Sequence, residues 1–298
     1  MSTETADPRF ADIDIWPTRV AVEAMLQGQR DAIAALDGQV HAIATAAEAA
    51  AARLKQGGRL IYAGAGTSGR IAIQDGVELT PTYDWPVERL VYLMAGGMNA
   101  LIRGVEGAED DAAAARAEIA DAGVGALDVA IGVAASGRTP YTLAAIVAAR
   151  AAGALTIGIA NNPDTPLLAA ADHPLLADTG SEPVAGSTRM KAGTAQKAAL
   201  NLLSTAIMIR CGRVHRGLMV GMRVSNAKLR TRAVAIVCDL AQVDESIARD
   251  ALDRAALDIR RAVLIARGAD AQQAADLLRA SDGDLRSAIA LRSGERRG

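Results

Sequence analysis

Arg59-Leu-Ile-Tyr-Ala-Gly-Ala-Gly-Thr-Ser-Gly-Arg70 is the stretch that decides the fold. Five residues, Arg59 to Ala63, read as a strand buried on both faces. Glycines and two hydroxyl residues follow, and then a helical pattern begins near Arg70. Gly64-Ala-Gly66-Thr67-Ser68-Gly69 matches GxGxxG, the strand-to-helix turn of dinucleotide-binding folds. That reading needs a carboxylate at the end of the next strand to hold a ribose, and the chain has Tyr92-Leu93-Met94-Ala95 there. A Walker loop is excluded too, because the turn closes on Gly-Arg rather than Gly-Lys-Ser/Thr. What remains is a glycine-permitted backbone, the hydroxyls of Thr67 and Ser68, and a helix start whose free N–H groups favour an anion such as one phosphate monoester. A plain turn explains a single loop of this kind equally well.

Outward from this stretch the pattern repeats. Strands are expected near residues 89–94, 129–133 and 155–159, and helices from about 110 to 122 and 140 to 152. Alternation of this kind predicts an α/β fold with a mostly parallel sheet covered on both faces by right-handed crossovers. Before it, residues 19–55 carry an Ala-rich helical pattern that Gly57-Gly58 ends. After it, helices are expected over 188–210 and 226–240, followed by short amphipathic segments around 245–256, 259–266, 271–278 and 285–291. The expected division is an N-terminal helical segment (1–56), a ligand-binding α/β domain (57–240) and a small three-helix, ubiquitin-associated-like bundle (241–298).

Two further helix starts carry hydroxyls, the first of them directly after a strand. Ala134-Ala-Ser-Gly-Arg-Thr-Pro140 brings Ser136, Gly137, Arg138 and Thr139 to a helix start, with proline at an early helical position. Gly186-Ser-Thr-Arg-Met-Lys191 brings Ser187, Thr188, Arg189 and Lys191 to another. N-capping alone accounts for either. Three such coincidences, the first two after parallel strands at the carboxyl edge where ligands bind in open α/β folds, favour an anion site.

Composition narrows the ligand. Of 298 residues, aromatics make up 2% and the net charge is −2, so neither base-stacking platforms nor a basic footprint for nucleic acid is present. Two cysteines, Cys211 and Cys238, stand in no CxxC or Cys/His cluster, so neither a disulfide framework nor a zinc site is expected. His41, His173 and His215 are scattered. The polar, acidic opening and the lack of a long apolar run lead us to expect no export, no membrane insertion and a cytoplasmic protein.

The motifs quoted, with Glu106-Gly-Ala-Glu-Asp110 and Gly186-Ser-Thr-Arg-Met-Lys-Ala-Gly-Thr-Ala-Gln-Lys197, resemble the N-acetylmuramic acid 6-phosphate etherase family over roughly residues 54–237. The resemblance implies a sugar-isomerase (SIS), flavodoxin-like three-layer domain and a homodimer needing no metal or redox cofactor. It implies cleavage of the D-lactyl ether of a phosphorylated amino sugar by elimination and water addition, in peptidoglycan recycling and amino-sugar catabolism. It also puts the two catalytic glutamates on Glu78 and Glu109, while the three loops at helix starts place the substrate or phosphate contacts on Gly66, Thr67, Ser68, Ser136, Gly137, Arg138, Thr139, Ser187, Thr188 and Lys191. Two carboxyl groups in different environments divide acid and base work, one held protonated by partial burial. On that basis Glu78 is expected to donate the proton and Glu109 to serve as the second acid/base. The chain departs from the family at Val77-Glu78-Leu79-Thr80-Pro81 and at Met98. Hexosamine-phosphate isomerisation and non-catalytic sugar-phosphate sensing are the competing readings, and retention of both glutamates favours the etherase over the sensor.

Overall fold

The computed structural model describes residues 2–294. Their contacts form two units: the residues up to Gly76 with Glu88–Ala206, and Val77–Val87 with the residues from Ile207 on.

The first unit opens with α1 (Thr18–Ala34) and α2 (Val40–Lys55), so the single helical pattern expected over 19–55 is two helices separated by a short turn at Asp37–Gln39. Next come β1 (Leu60–Gly64), α3 (Gly66–Tyr83), β2 (Leu90–Met94), α4 (Ala112–Asp121) and β3 (Val129–Val133). The unit continues with α5 (Pro140–Ala151), β4 (Leu155–Ala160), α6 (Pro166–Ala170), β5 (His173–Leu176) and α7 (Lys191–Arg210). Helices α3 and α7 each run on into the second unit by sequence. Helix α3 begins at Gly66, one turn earlier than the sequence pattern indicates.

All four pairings in the five-stranded sheet are parallel, in the order β2-β1-β3-β4-β5. Strands β1, β3 and β4 are buried along their whole length, as a sheet covered on both faces requires. One face packs Ile61, Ala63, Leu93 and Ala130 against Ile119 of α4 and Tyr141, Ala145 and Ile146 of α5. The other is covered by α2, which contacts β3, β4 and β5, and by α3, where Ile73 packs on Met94. With almost no aromatics in the core, alanines bring the helices close to the sheet. At the amino end of the sheet, Asp128 ties β1 to β3: it accepts from the Arg59 N–H (2.8 Å), the Arg59 guanidinium (2.7 Å) and the Gly125 N–H (3.0 Å).

In the second unit, the hairpin β6 (Val214–His215) and β7 (Leu218–Met219) turns on Arg216 and Gly217, both at positive φ, as two-residue hairpins favour. Helices α8 (Ala227–Ala241), α9 (Glu245–Arg254), α10 (Ile259–Ala266), α11 (Ala271–Ala280) and α12 (Leu285–Ser293) follow. They share one apolar core through Val237, Leu252, Val263, Leu264, Leu278 and Leu285. Aspartates 258, 270 and 284 cap three of them by accepting backbone N–H groups, which is why Asp punctuates this stretch.

Candidate functional site

Strand order 2-1-3-4-5 reverses its direction of winding between β1 and β3, and a crevice outside the carboxyl ends of these strands is where such sheets bind ligands. The two turns that border it are the first two hydroxyl loops. In the first, Gly64 and Gly69 touch so closely that a Cβ on Gly64 would stand 2.6 Å from Gly69 Cα, so the turn tolerates no side chain at either position. Ser68 is buried and Thr67 half-buried. Arg70 points elsewhere: its guanidinium donates to the Ala100 carbonyl at 2.8 Å and holds the turn Met98–Leu101 that follows β2.

In the second loop Ser136 Oγ accepts from the Arg138 N–H at 3.2 Å, and Gly137 takes a positive φ of 63°. A Cβ at Gly137 would collide with Thr165, whose buried hydroxyl has no hydrogen-bond partner among the described residues. Pro140 opens α5, as the sequence indicates.

The third loop meets the first: the Cβ that Gly193 lacks would lie 3.7 Å from Thr67 Cγ2. It meets the second through Asn161, which donates its own N–H to the Ala135 carbonyl (3.0 Å), accepts from Gln196 Nε2 (2.9 Å) and donates to the Ala177 carbonyl (2.9 Å). Unexpectedly, the N–H groups at the start of α7 are already taken. Glu182, fully buried, accepts from the Lys191 and Ala192 N–H groups at 2.9 Å each, and Lys191 Nζ donates to the Ser181 carbonyl at 2.9 Å. Ser187 and Thr188 are half-buried before that helix, leaving their hydroxyls, rather than the α7 amides, as the polar groups this loop offers.

Glu109 sits in the turn Ala108–Asp110, after Gly107 at a φ of 72°. That segment rests on the end of β2, where a Cβ on Gly96 would be 2.8 Å from Val105 Cβ and 3.2 Å from Ala108 Cβ. The Ala95 N–H in turn donates to the Gly64 carbonyl at 3.1 Å, so the Glu109 turn and the first loop share the same sheet edge. Asp111 caps α4 by accepting from the Ala113 and Ala114 N–H groups. Glu78 falls in the second unit, on the last turns of α3. There the helix end is fixed by Thr80 Oγ1 donating to the Trp85 carbonyl (3.0 Å) and by Arg213, which donates to the Tyr83 carbonyl (3.3 Å) and covers the Trp85 ring. Both glutamates are exposed, so the partial burial expected to distinguish them is not supplied by their own units.

A further buried carboxylate stands on α3. Asp75 on α3 accepts from Asn201 Nδ2 (2.8 Å), Ser204 Oγ (3.2 Å) and Tyr62 Oη (3.3 Å). Burial pushes its pKa above the ordinary carboxylate value, against those donors and Lys197. Burial, aided by Asp75, raises the Tyr92 phenol to about 12.

Sequence reasoning missed Asn161, Asn162, Glu182 and Asp75. Asn161-Asn162-Pro163 directly after β4 is a turn signal by which the first two could have been found, whereas Glu182 and Asp75 have no local signal.

A parallel sheet with three hydroxyl-bearing turns joined at its carboxyl edge makes this an α/β protein built to bind a ligand at that edge, and the SIS class comes from its relatives. The glucokinase regulatory protein N-terminal SIS domain description matches residues 42–150 and the SIS domain description residues 111–206. A Bacteroides fragilis protein described as a phosphosugar isomerase involved in capsule formation superposes with a TM-score of 0.51 at 20% identity, covering 67% of this chain and 99% of its own. N-acetylmuramic acid 6-phosphate etherase of Deinococcus radiodurans is 46% identical over 96% of this chain and 94% of its own length. The protein of the same name from Streptomyces avermitilis is 44% identical over 97% and 94%. The chain belongs to the N-acetylmuramic acid 6-phosphate etherase family.

Proposed function

We propose that this protein is a lyase that cleaves the D-lactyl ether of N-acetylmuramic acid 6-phosphate with water, yielding N-acetylglucosamine 6-phosphate and D-lactate. The observation that carries the reading is the joining of three hydroxyl loops at one carboxyl edge in a chain related over nearly its full length to etherases. Phosphate is held by Gly66, Thr67 and Ser68 of the first loop and Ser136, Gly137, Arg138 and Thr139 of the second. Ser187 and Thr188 add hydroxyls, and Lys191 anchors the third loop through Ser181.

Cleavage proceeds through the ring-opened aldehyde, which acidifies the proton on carbon 2. Its removal and protonation of the lactyl oxygen expel lactate and leave a carbon 2–carbon 3 double bond. Water then adds at carbon 3 and a proton returns to carbon 2. Glu78 gives the leaving oxygen its proton, and Glu109 is the second acid/base, serving carbon 2 and the water.

In this account the sugar-phosphate-binding domain spans residues 57–240, with residues 1–56 before it and 241–298 after it in the chain. The protein works as a homodimer in the cytoplasm, in peptidoglycan recycling and amino-sugar catabolism. Among the described residues no helix is long and apolar enough to cross a membrane. Sedimentation showing monomers at micromolar concentration would overturn the dimer.

The reaction is tested with Glu78→Gln and Glu109→Gln, which keep shape and remove the transferable proton. Each is expected to lower D-lactate release by about 10²–10⁴-fold with KM little changed, and the double variant to lose less than the product of the two. Full activity in both variants would refute the roles given.

A further inference from the structure

Residues 2–7 had no ligand role in the sequence reading, yet they join two of the ligand loops. Thr3 is fully buried: its N–H donates to Asn162 Oδ1 (3.0 Å), its Oγ1 accepts from Asn162 Nδ2 (3.0 Å), and its carbonyl accepts from the Gly186 N–H (3.1 Å). Asn162 Nδ2 also donates to the Ala135 carbonyl at 2.9 Å, immediately before Ser136. Farther along, Asp7 accepts from Ser181 Oγ at 2.8 Å, on the residue whose carbonyl receives Lys191 Nζ. A turn closed by the Thr5 N–H on the Ser2 carbonyl (3.0 Å) leaves Glu4 exposed where Thr3 is buried. Glu4 lines a cleft of about 350 Å³ together with Ser2, Ser136, Arg138, Asn162 and Asp178. Its Oε2 is 3.1 Å from where a Cβ on Gly186 would stand.

We propose that residues 2–7 are a wall of the substrate pocket and that Glu4 is a specificity-determining residue within it. The inference rests on the sugar-phosphate reading of this edge. An ionised carboxylate only accepts hydrogen bonds, so it takes the hydroxyl or amide N–H donors of an amino sugar and repels an anion. With Arg138 and Ser136 in the same cleft, the phosphate is steered to them and the donor-rich sugar to Glu4. Inorganic phosphate brings an anion without the sugar's donor array, so the Glu4 charge acts against it. The same side chain therefore favours the sugar phosphate and disfavours the bare anion.

Opposite signs make the test sharp. In steady-state D-lactate release, Glu4→Gln is expected to raise KM for N-acetylmuramic acid 6-phosphate by about tenfold, the scale of a lost hydrogen bond to a charged group, with kcat within about twofold. The inhibition constant of inorganic phosphate is expected to fall by about threefold as the repulsion is removed. Thr3→Val, which removes the hydroxyl contacts with Asn162 and with Glu4 Oε1 (3.4 Å) but keeps the Thr3 N–H bond to Asn162 and the Glu4 charge, is expected to raise both constants, as loosening the wall would. Equal weakening of both ligands by Glu4→Gln, or no change in either, overturns the proposal. If the wild-type protein releases no D-lactate, the etherase reading fails on its own. Calorimetry of N-acetylglucosamine 6-phosphate and inorganic phosphate on the wild type and Glu4→Gln then reads the same opposite shifts.

Discussion

Glu182→Ala removes a carboxylate that is fully buried and accepts both the Lys191 and Ala192 N–H groups at 2.9 Å. These are the first two amides of α7, the end at which free N–H groups and the helix dipole call for negative charge. No water replaces a carboxylate at a fully enclosed position without two good partners, so the variant strands two donors at about 1–3 kcal/mol each. Loss of a cap is worth about 0.5–2 kcal/mol by itself and overlaps with that figure. The expected cost is therefore about 3–5 kcal/mol. Glu182→Gln keeps one acceptor oxygen but turns an amide N–H₂ toward the other donor, and should cost about 1–2 kcal/mol. Urea unfolding followed by far-ultraviolet circular dichroism checks this. At a slope of about 2 kcal/mol per molar, the alanine variant should lower the midpoint by about 2 M and the glutamine variant by under 1 M. An alanine midpoint equal to or above the wild type would mean that the buried charge costs more than its two hydrogen bonds return, and would refute the capping argument.

Two pH-dependent predictions follow from carboxylates shifted in opposite directions. Burial raises Asp75, so its neutral form suits the fold; the stability it contributes is present below the ordinary carboxylate value near 4 and is lost as pH rises through its higher folded value. Asp75→Asn should thus gain in Tm relative to wild type between pH 5 and pH 8, and a difference independent of pH would count against it. For Asp128, burial alone would raise the pKa, but the Arg59 side chain and the Arg59 and Gly125 N–H groups outweigh it and hold the value below the ordinary range. Its contribution is present above pH 4 and lost as pH falls through the lower folded value. Asp128→Asn should cost about 2–3 kcal/mol at pH 7 and progressively less toward pH 2, since a largely buried ion pair loses one charge; a cost unchanged at pH 2 would refute it.

The parallel sheet and its ligand edge were legible because each depends on local signals: β-rich runs of five residues, helical periodicity between them, and glycine and hydroxyl residues at the turns. What escaped had its cause elsewhere in the chain. Strand β5 is four residues long and carries Pro174, which an edge strand accommodates and which a sequence pattern reads as a break. Helix α6, five residues long, gives no periodicity to read. The start of α7 looked like an open anion site because Ser187, Thr188 and Lys191 precede or open it. Its amides are instead consumed by Glu182, nine and ten residues away, and only tertiary structure shows that. Thr3 likewise matters for its contacts with Asn162 and Gly186, far along the sequence. The glutamates Glu78 and Glu109 were found through motif resemblance, since neither helix ends nor charge pattern single out an exposed glutamate.

The most direct test of the central claim is the reaction run in oxygen-18 water with purified protein and N-acetylmuramic acid 6-phosphate, both products being analysed by mass spectrometry. Elimination followed by water addition predicts one label on the carbon 3 hydroxyl of N-acetylglucosamine 6-phosphate and none in D-lactate. Label in the lactate, or no lactate at all, would contradict it.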